Sequence, residues 1–328
     1  MKNVIKILFV SILFLTLFSC GGEITIDKDN IEYDNIRLSE IGVLYYNDNP
    51  YTGNITTTYD NDQLRSKITY KKGVMEGERV NYYENGQLES KTSYIDGFEE
   101  GEYISYYELT EIIKRKGAYK NGAMEGEWIE YFDDREDDIK QKENYKNGKK
   151  DGEWVYYDDY YPEEGGRLVY LQKKETYKDG KLNGEWVWYY KNNQIERKGN
   201  YKDDEQDGEW IVYNESGTIR NKEFYINGFK DGEWVTYYEN GDIYTQRKYI
   251  LSEEDGEYVQ YYKNGQLERK WNYKAGKQHG EQFYYYENGQ LRMKANYING
   301  EDDGEWVYYY ENGQLEKKVN YKEGKKID

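Results

Sequence analysis

The sequence predicts an all-β chain, an elongated single-sheet array of stacked antiparallel β-hairpins. Three observations predict it. First, the pair Gly-Glu recurs at Gly77, Gly101, Gly126, Gly152, Gly184, Gly208, Gly232, Gly256, Gly280 and Gly304, with spacings of 24, 25, 26 and 32 residues and then 24 five times. Second, a tyrosine stands seven residues before each of these glycines and before Gly53, from Tyr46 to Tyr297. Third, Asn-Gly pairs lie between β-prone runs, a strong hairpin signal because both residues tolerate positive φ. A fixed period of this length marks a repeat architecture.

The elements follow in chain order. Met1 to Lys6 carries two lysines, and Ile7 to Phe18 is an almost unbroken apolar run. The run is short for a membrane span and has the proportions of a signal peptide. It ends Leu17-Phe18-Ser19-Cys20 before Gly21-Gly22, which resembles a bacterial lipobox. Residues 1–19 are therefore expected to be a lipoprotein signal peptide, and Cys20 to be lipidated. A plain secretory signal with a chance cysteine is the alternative. Two or more acyl chains give stable membrane attachment, so the protein is expected at the cell envelope, lipid-anchored on the extracytoplasmic side. Cys20 is the only cysteine, so disulfides are not used. Residues 20–45 lack the repeat and read as a lipidated tether and N-terminal cap; residues 46–328 are the repeats.

Each repeat reads as one hairpin. In the segment from Gly304 to Tyr321, Glu-Trp-Val-Tyr-Tyr-Tyr is followed by Glu-Asn-Gly-Gln and then by Leu-Glu-Lys-Lys-Val-Asn-Tyr. Leu315, Lys317, Val319 and Tyr321 alternate with Glu316, Lys318 and Asn320, as a strand requires. The chain then turns back through pairs such as Asn227-Gly228 and Asn299-Gly300. Eleven such units at about 4.8 Å per strand would make a ribbon on the order of 100 Å long. Trp occupies the second position after the glycine in six units (Trp128, Trp154, Trp186, Trp210, Trp234 and Trp306). The core should be thin and aromatic, since a Tyr ring packs while its hydroxyl stays wet. The repeated glycines are expected to leave room for a neighbouring ring to lie on the backbone.

Composition narrows the function. The 328 residues carry 46 Lys and Arg against 64 Asp and Glu, for a net charge of −18. That balance argues against a nucleic-acid partner, because phosphate contacts need clustered cations. One His and one Cys exclude a His/Cys metal cluster and disfavour a His-based catalytic site. Asp-Gly-Glu at 151–153 and its repeats reads as a solvated turn rather than a calcium loop. His279, which stands before Gly280 where most repeats carry an acid or amide, reads as a surface substitution. No cofactor and no enzymatic activity are expected.

The Tyr-x6-Gly-Glu-Trp and Tyr-Tyr-Glu-Asn-Gly-Gln-Leu pattern resembles MORN repeats over about residues 46–328. It is most similar to the variant found in bacterial antitoxin-like proteins of the YwqK type. The resemblance implies a twisted β-hairpin sheet, a protein-scaffolding role and, in some cases, lipid contact. The antitoxin role is implied at family level only.

Three consecutive units are stretched, and all the extra residues lie between Gly-Glu and the closing tyrosine. They include Glu108 to Glu111, Asp133 to Asp138 around Arg135, and Asp158 to Gly166. Insertions on one edge of a repeat array are frequent binding loops, and exposed tips also tolerate neutral insertion. Tyr160, Tyr161, Glu163, Glu164 and Arg135 are the candidate interaction residues. The reading is an envelope-anchored repeat lipoprotein that scaffolds an unidentified protein partner. Its alternatives are a cell-wall or glycan binder using aromatic faces and an antitoxin or immunity protein. An open sheet edge would also allow self-association.

Overall fold

The computed structural model describes residues 23–26, 36–39, 42–135 and 137–327. The signal-peptide and Cys20 expectations lie outside the described residues. All regular structure among the described residues is β-strand. The fold is the all-β array of antiparallel hairpins that the repeat predicts. Its contacts divide into two compact units, one ending at Tyr157 and one beginning at Asp158.

In the first unit, strands run antiparallel from Gly53–Thr58 through Leu64–Lys71 and Val74–Tyr82 up to Gly152–Tyr160, where the boundary falls. Glu23–Ile26 pairs in parallel along Gly53–Thr58, covering that strand's outer edge. Ile36–Leu38, Leu44–Tyr46 and Asn49–Pro50 form a separate three-stranded sheet. Leu44, Tyr51 and Ile55 are buried together beside it. In the second unit, Leu168–Lys178 and Lys181–Tyr189 open a run of hairpins that ends at Lys325–Lys326.

Two different turns alternate. On one edge the chain reverses in two residues at positive φ, such as Asn121 (φ 50°) and Gly122 (φ 77°), with Lys120 paired to Ala123. This is the type I′ turn that matches strand twist. The other edge departs from the Asn-Gly expectation. At Tyr83-Glu84-Asn85-Gly86-Gln87, only Gly86 has positive φ (83°). Gly86 N–H donates to Tyr83 O at 2.9 Å, and Tyr83 N–H donates to Gln87 O at 2.8 Å. Here Asn85 instead accepts from Gln87 N–H through Oδ1 at 2.9 Å. The result is a type I turn closed by a left-handed glycine.

The repeated Gly-Glu-Trp forms a bulge between hairpins. Lys116 pairs with Ile129 and Ala118 with Glu125, so Gly117 alone opposes Gly126, Glu127 and Trp128. Gly126 takes φ +71°, and a Cβ there would meet open space. At Gly126 the glycine serves the left-handed backbone of the bulge rather than a ring, whereas at Gly232 a Cβ would touch the Phe224 ring at 3.6 Å, as the sequence expectation has it. Rings lie more closely still on two glycines of the facing strands. A Cβ on Gly117 would enter the Trp128 ring, and one on Gly199 would enter Trp210. The bulge also explains the tryptophan. Trp128 Nε1 donates to Ala118 O at 3.2 Å, Trp154 to Asn144 O at 3.0 Å and Trp234 to Phe224 O at 3.0 Å. At these three the indole folds back onto a carbonyl at the irregular step, where a free group would be costly, whereas Trp210 Nε1 is buried without a partner.

Successive repeats are tied at both edges. The first tip tyrosine donates its hydroxyl to a carbonyl one repeat on. Examples are Tyr59 to Tyr82 O, Tyr83 to Tyr106 O, Tyr238 to Tyr261 O and Tyr262 to Tyr285 O, at 2.7–2.8 Å. On the other edge, acids before the repeat glycine accept from the next turn's backbone. Glu76 receives Asp96 N–H, Glu125 receives Asn147 N–H, and Asp255 receives Ala275 N–H. The acid of Asp-Gly-Glu is thus a turn cap.

Candidate functional site

Strand alternation divides the array into two faces. One carries the tryptophans and the repeat tyrosines, and its rings are packed on one another. In the first unit, Trp128 meets Tyr103, Tyr119 and Tyr145 at centroid distances of 5.4, 5.0 and 6.5 Å. In the second, Trp210 meets Trp186, Tyr201 and Tyr225 at 5.4, 5.2 and 6.3 Å. Trp128 and Trp210 are each only 1% exposed. Cations cover further ring faces: Arg115 lies 4.8 Å from Trp128 and Arg197 4.8 Å from Trp210.

These arginines are half-buried and pair with buried glutamates. Arg115 Nη2 donates to Glu143 Oε2, and Tyr145 donates its hydroxyl to the same oxygen. Arg197, Glu223 and Tyr225 repeat the arrangement, with bonds of 2.9 and 3.1 Å. Burial, and then the adjoining Glu223 charge, raise the Tyr225 phenol to about 12. A related trio joins Lys173, Glu175 and Tyr177. Burial opposes the Glu175 carboxylate, yet the bonds from Lys173 and Tyr177 outweigh it and hold its pKa below the usual range. Sequence reasoning missed the two arginine pairs because their members lie 28 and 26 residues apart and meet only once the register is known, while Lys173, Glu175 and Tyr177 alternate along one strand.

The sequence candidates lie at two tips. Arg135 is exposed on the first unit's lengthened tip, where Phe132 N–H donates to Asp138 O across the turn. In the second unit, Tyr161, Glu163 and Glu164 are exposed. Tyr160 instead packs against Tyr170 (5.9 Å, 72°) and beneath Lys191 at 5.1 Å. The base of this tip is built rather than loose. Arg167 is buried and pairs with Asp159 at 2.9 Å, while Asp158 accepts from Tyr170 and Gln172. The tip therefore presents Tyr161, Glu163 and Glu164 on a fixed clasp.

The opposite face was not singled out from the sequence, although its signal is periodic. Over the eleven tyrosines from Tyr70 to Tyr321, the residue three before is Lys in ten and Gln246 in the other. Where both partners are placed together, it bridges the glutamate after the repeat glycine: Lys91 to Glu78, Lys270 to Glu257, Lys294 to Glu281 and Lys318 to Glu305. Two grooves open on this face. One of about 450 Å³ in the first unit is lined by Ile104, Lys116, Ala118, Glu127 and Ile129 among others. One of about 520 Å³ in the second unit is bordered by Glu209, Phe224, Glu233, Val235, Tyr237 and Gln246 among others.

With this geometry in place, known proteins can be compared. A family model described as a MORN repeat variant matches residues 75–96, 182–203, 206–227, 230–250, 254–275, 278–299 and 302–323. These seven segments are similar to MORN repeats. No curated protein matches the chain. Among solved structures, the TcdB2-TccC3 crystal structure aligns at 11% identity over 88% of this chain and 18% of its own, with a TM-score of 0.19. The TcdB2-TccC3-Cdc42 crystal structure aligns at 10% identity over 88% and 17%, with a TM-score of 0.19. A Photorhabdus luminescens Tc holotoxin pore aligns at 12% over 88% and 17%, with a TM-score of 0.18. The chain spans under a fifth of the length of these proteins, and likenesses at such scores carry no weight for function.

Proposed function

We propose that the chain is a non-enzymatic, envelope-anchored repeat lipoprotein that serves as a protein-binding scaffold. The observation that carries this reading is how the two faces are used. The rings and ion pairs of the tryptophan face are spent on neighbouring repeats, while grooves and a clasped tip face outward. The similarity to MORN repeats supports the scaffold role. The glycan alternative needs open aromatic faces, and Trp128 and Trp210 offer none. An antitoxin or immunity role would be one special case of protein binding.

The test is a pull-down with residues 21–328 immobilised and offered solubilised envelope extract and purified cell wall in parallel. Retention of a specific protein supports the scaffold. Retention of wall material alone overturns it in favour of glycan binding. Metabolic labelling with palmitate, lost in Cys20→Ala, tests the anchor separately.

A further inference from the structure

We infer that the groove between Glu209 and Gln246 docks a segment of a partner protein in which apolar side chains are flanked by Lys or Arg. The inference rests on the scaffold reading and names a site and a chemistry for it. The repeats themselves provide the reference. Phe224 stands where five other repeats carry Asn, and Gln246 stands where ten carry Lys. Those repeats hold the same strand register, so the fold needs neither Phe224 nor Gln246.

Both departures act on the same groove. Phe224 makes its floor apolar beside Val235, and it remains 38% exposed. The apolar surface continues to the adjoining turns, where Ile226, Phe229, Ile250 and Leu251 are exposed at 42–65%. In seven repeats the position of Ile226 is Lys. A contiguous apolar patch on an exposed face marks an interaction surface.

Charge selects the occupant. Glu78, Glu257, Glu281 and Glu305 are each bridged by the lysine that Gln246 replaces for Glu233. Glu233 and Glu209 are exposed on the groove with Lys222 as the cation of its lining, while Lys248, paired across from Glu233, lays its stem against Gly256. Glu223 also borders it but is held by Arg197. An apolar floor with surplus carboxylates favours an apolar segment bearing cations and repels an acidic one.

The test is selection from a phage-displayed random dodecapeptide library on the full chain, with counter-selection on F224N/Q246K. That variant carries only residues that other repeats already accommodate, so its melting profile should match wild type. Enriched peptides should alternate apolar residues with Lys or Arg and, once synthesised, bind wild type at least tenfold more tightly than the variant. Adding N272F and K294Q to the variant rebuilds the groove two repeats further on and should restore binding. Peptides that bind both proteins alike, or that lack the basic-apolar pattern, overturn the inference. The parent reading fails differently. If the pull-down retains the same partner with wild type and F224N/Q246K, the groove inference falls and the scaffold stands. If it retains no protein with either, the scaffold itself falls.

Discussion

The two units are alike on the tryptophan face and unlike on the other. Arg115, Gly117, Trp128, Glu143 and Tyr145 in the first are matched by Arg197, Gly199, Trp210, Glu223 and Tyr225 in the second. On the opposite face the matched positions are Ala118 and Lys142 in the first unit and Asn200 and Lys222 in the second; the change to Phe224 and Gln246 comes one repeat later, where Asn221 and Glu223 replace the arginine and glycine. The difference separates two demands on one repeat. A residue set that recurs in both units is what the array needs to close its bulges. A set that changes while the register stays fixed is released from that need and is available for recognition.

The glycine beneath the indole gives the largest expected effect and the hardest test of this equivalence. Gly117→Val and Gly199→Val each force a branched side chain into a buried ring. Each should cost about 3 kcal/mol in urea or thermal unfolding, at the upper end for overpacking. Equal losses sustain the equivalence of the two constellations; tolerance at either site breaks it. Gly208→Ala is the contrast. Its Cβ would meet nothing, so only the φ of +79° opposes it, at about 1 kcal/mol.

The ion pairs come next. Arg115→Ala and Arg197→Ala each leave a buried glutamate without its cation. Removing one partner of a fully buried pair costs about 3–5 kcal/mol. Arg115 and Arg197 are about a third exposed, so a loss of about 2 kcal/mol is expected here. Calorimetry of both variants should give matching losses, and a neutral result in one unit would make its pair incidental.

Ionisation sharpens the same point in the second unit. The Glu175 pKa is lowered on folding, so its contribution is complete above the unfolded carboxyl value near 4.5 and is lost as pH falls below it. Tyr225 behaves oppositely. Its pKa rises from 10.0 to about 12, so its contribution is complete below pH 10 and is lost as pH climbs through 12. Stability should therefore decline on both sides. Glu175→Gln should flatten the acid limb, and Tyr225→Phe should remove a late-titrating phenolate from the absorbance titration.

Much of this was legible in the sequence. Period, hairpins, tip insertions and type I′ turns follow from local residue chemistry, which a single strand or turn displays in full. The rest needed register. Nothing local says that Arg197 meets Glu223 across an intervening strand, or that Gly126 serves a bulge while Gly117 receives a ring. The lysine three before each tyrosine was visible as a period, but its meaning came only from the glutamates that the pleat sets beside it. At the tip, Asn-Gly is compatible with two turns, and the i→i+3 bond at Gly86 decides between them.

The smallest effect concerns the tyrosine ladder, which links repeats by one hydrogen bond each. It runs through Tyr238, Tyr262 and Tyr286, but Asn214 occupies the tip position in its own repeat and bonds Thr218 within the turn. Tyr262→Phe should lose about 1 kcal/mol, the net worth of one such bond. Asn214→Tyr should gain a comparable amount by adding a rung toward the Tyr237 carbonyl. Amide exchange at the neighbouring tips would read both changes locally, with faster exchange in the first variant and slower in the second. If neither moves, the ladder follows the packing of the hairpins rather than supporting it, and the tryptophan-face constellations alone hold successive repeats together.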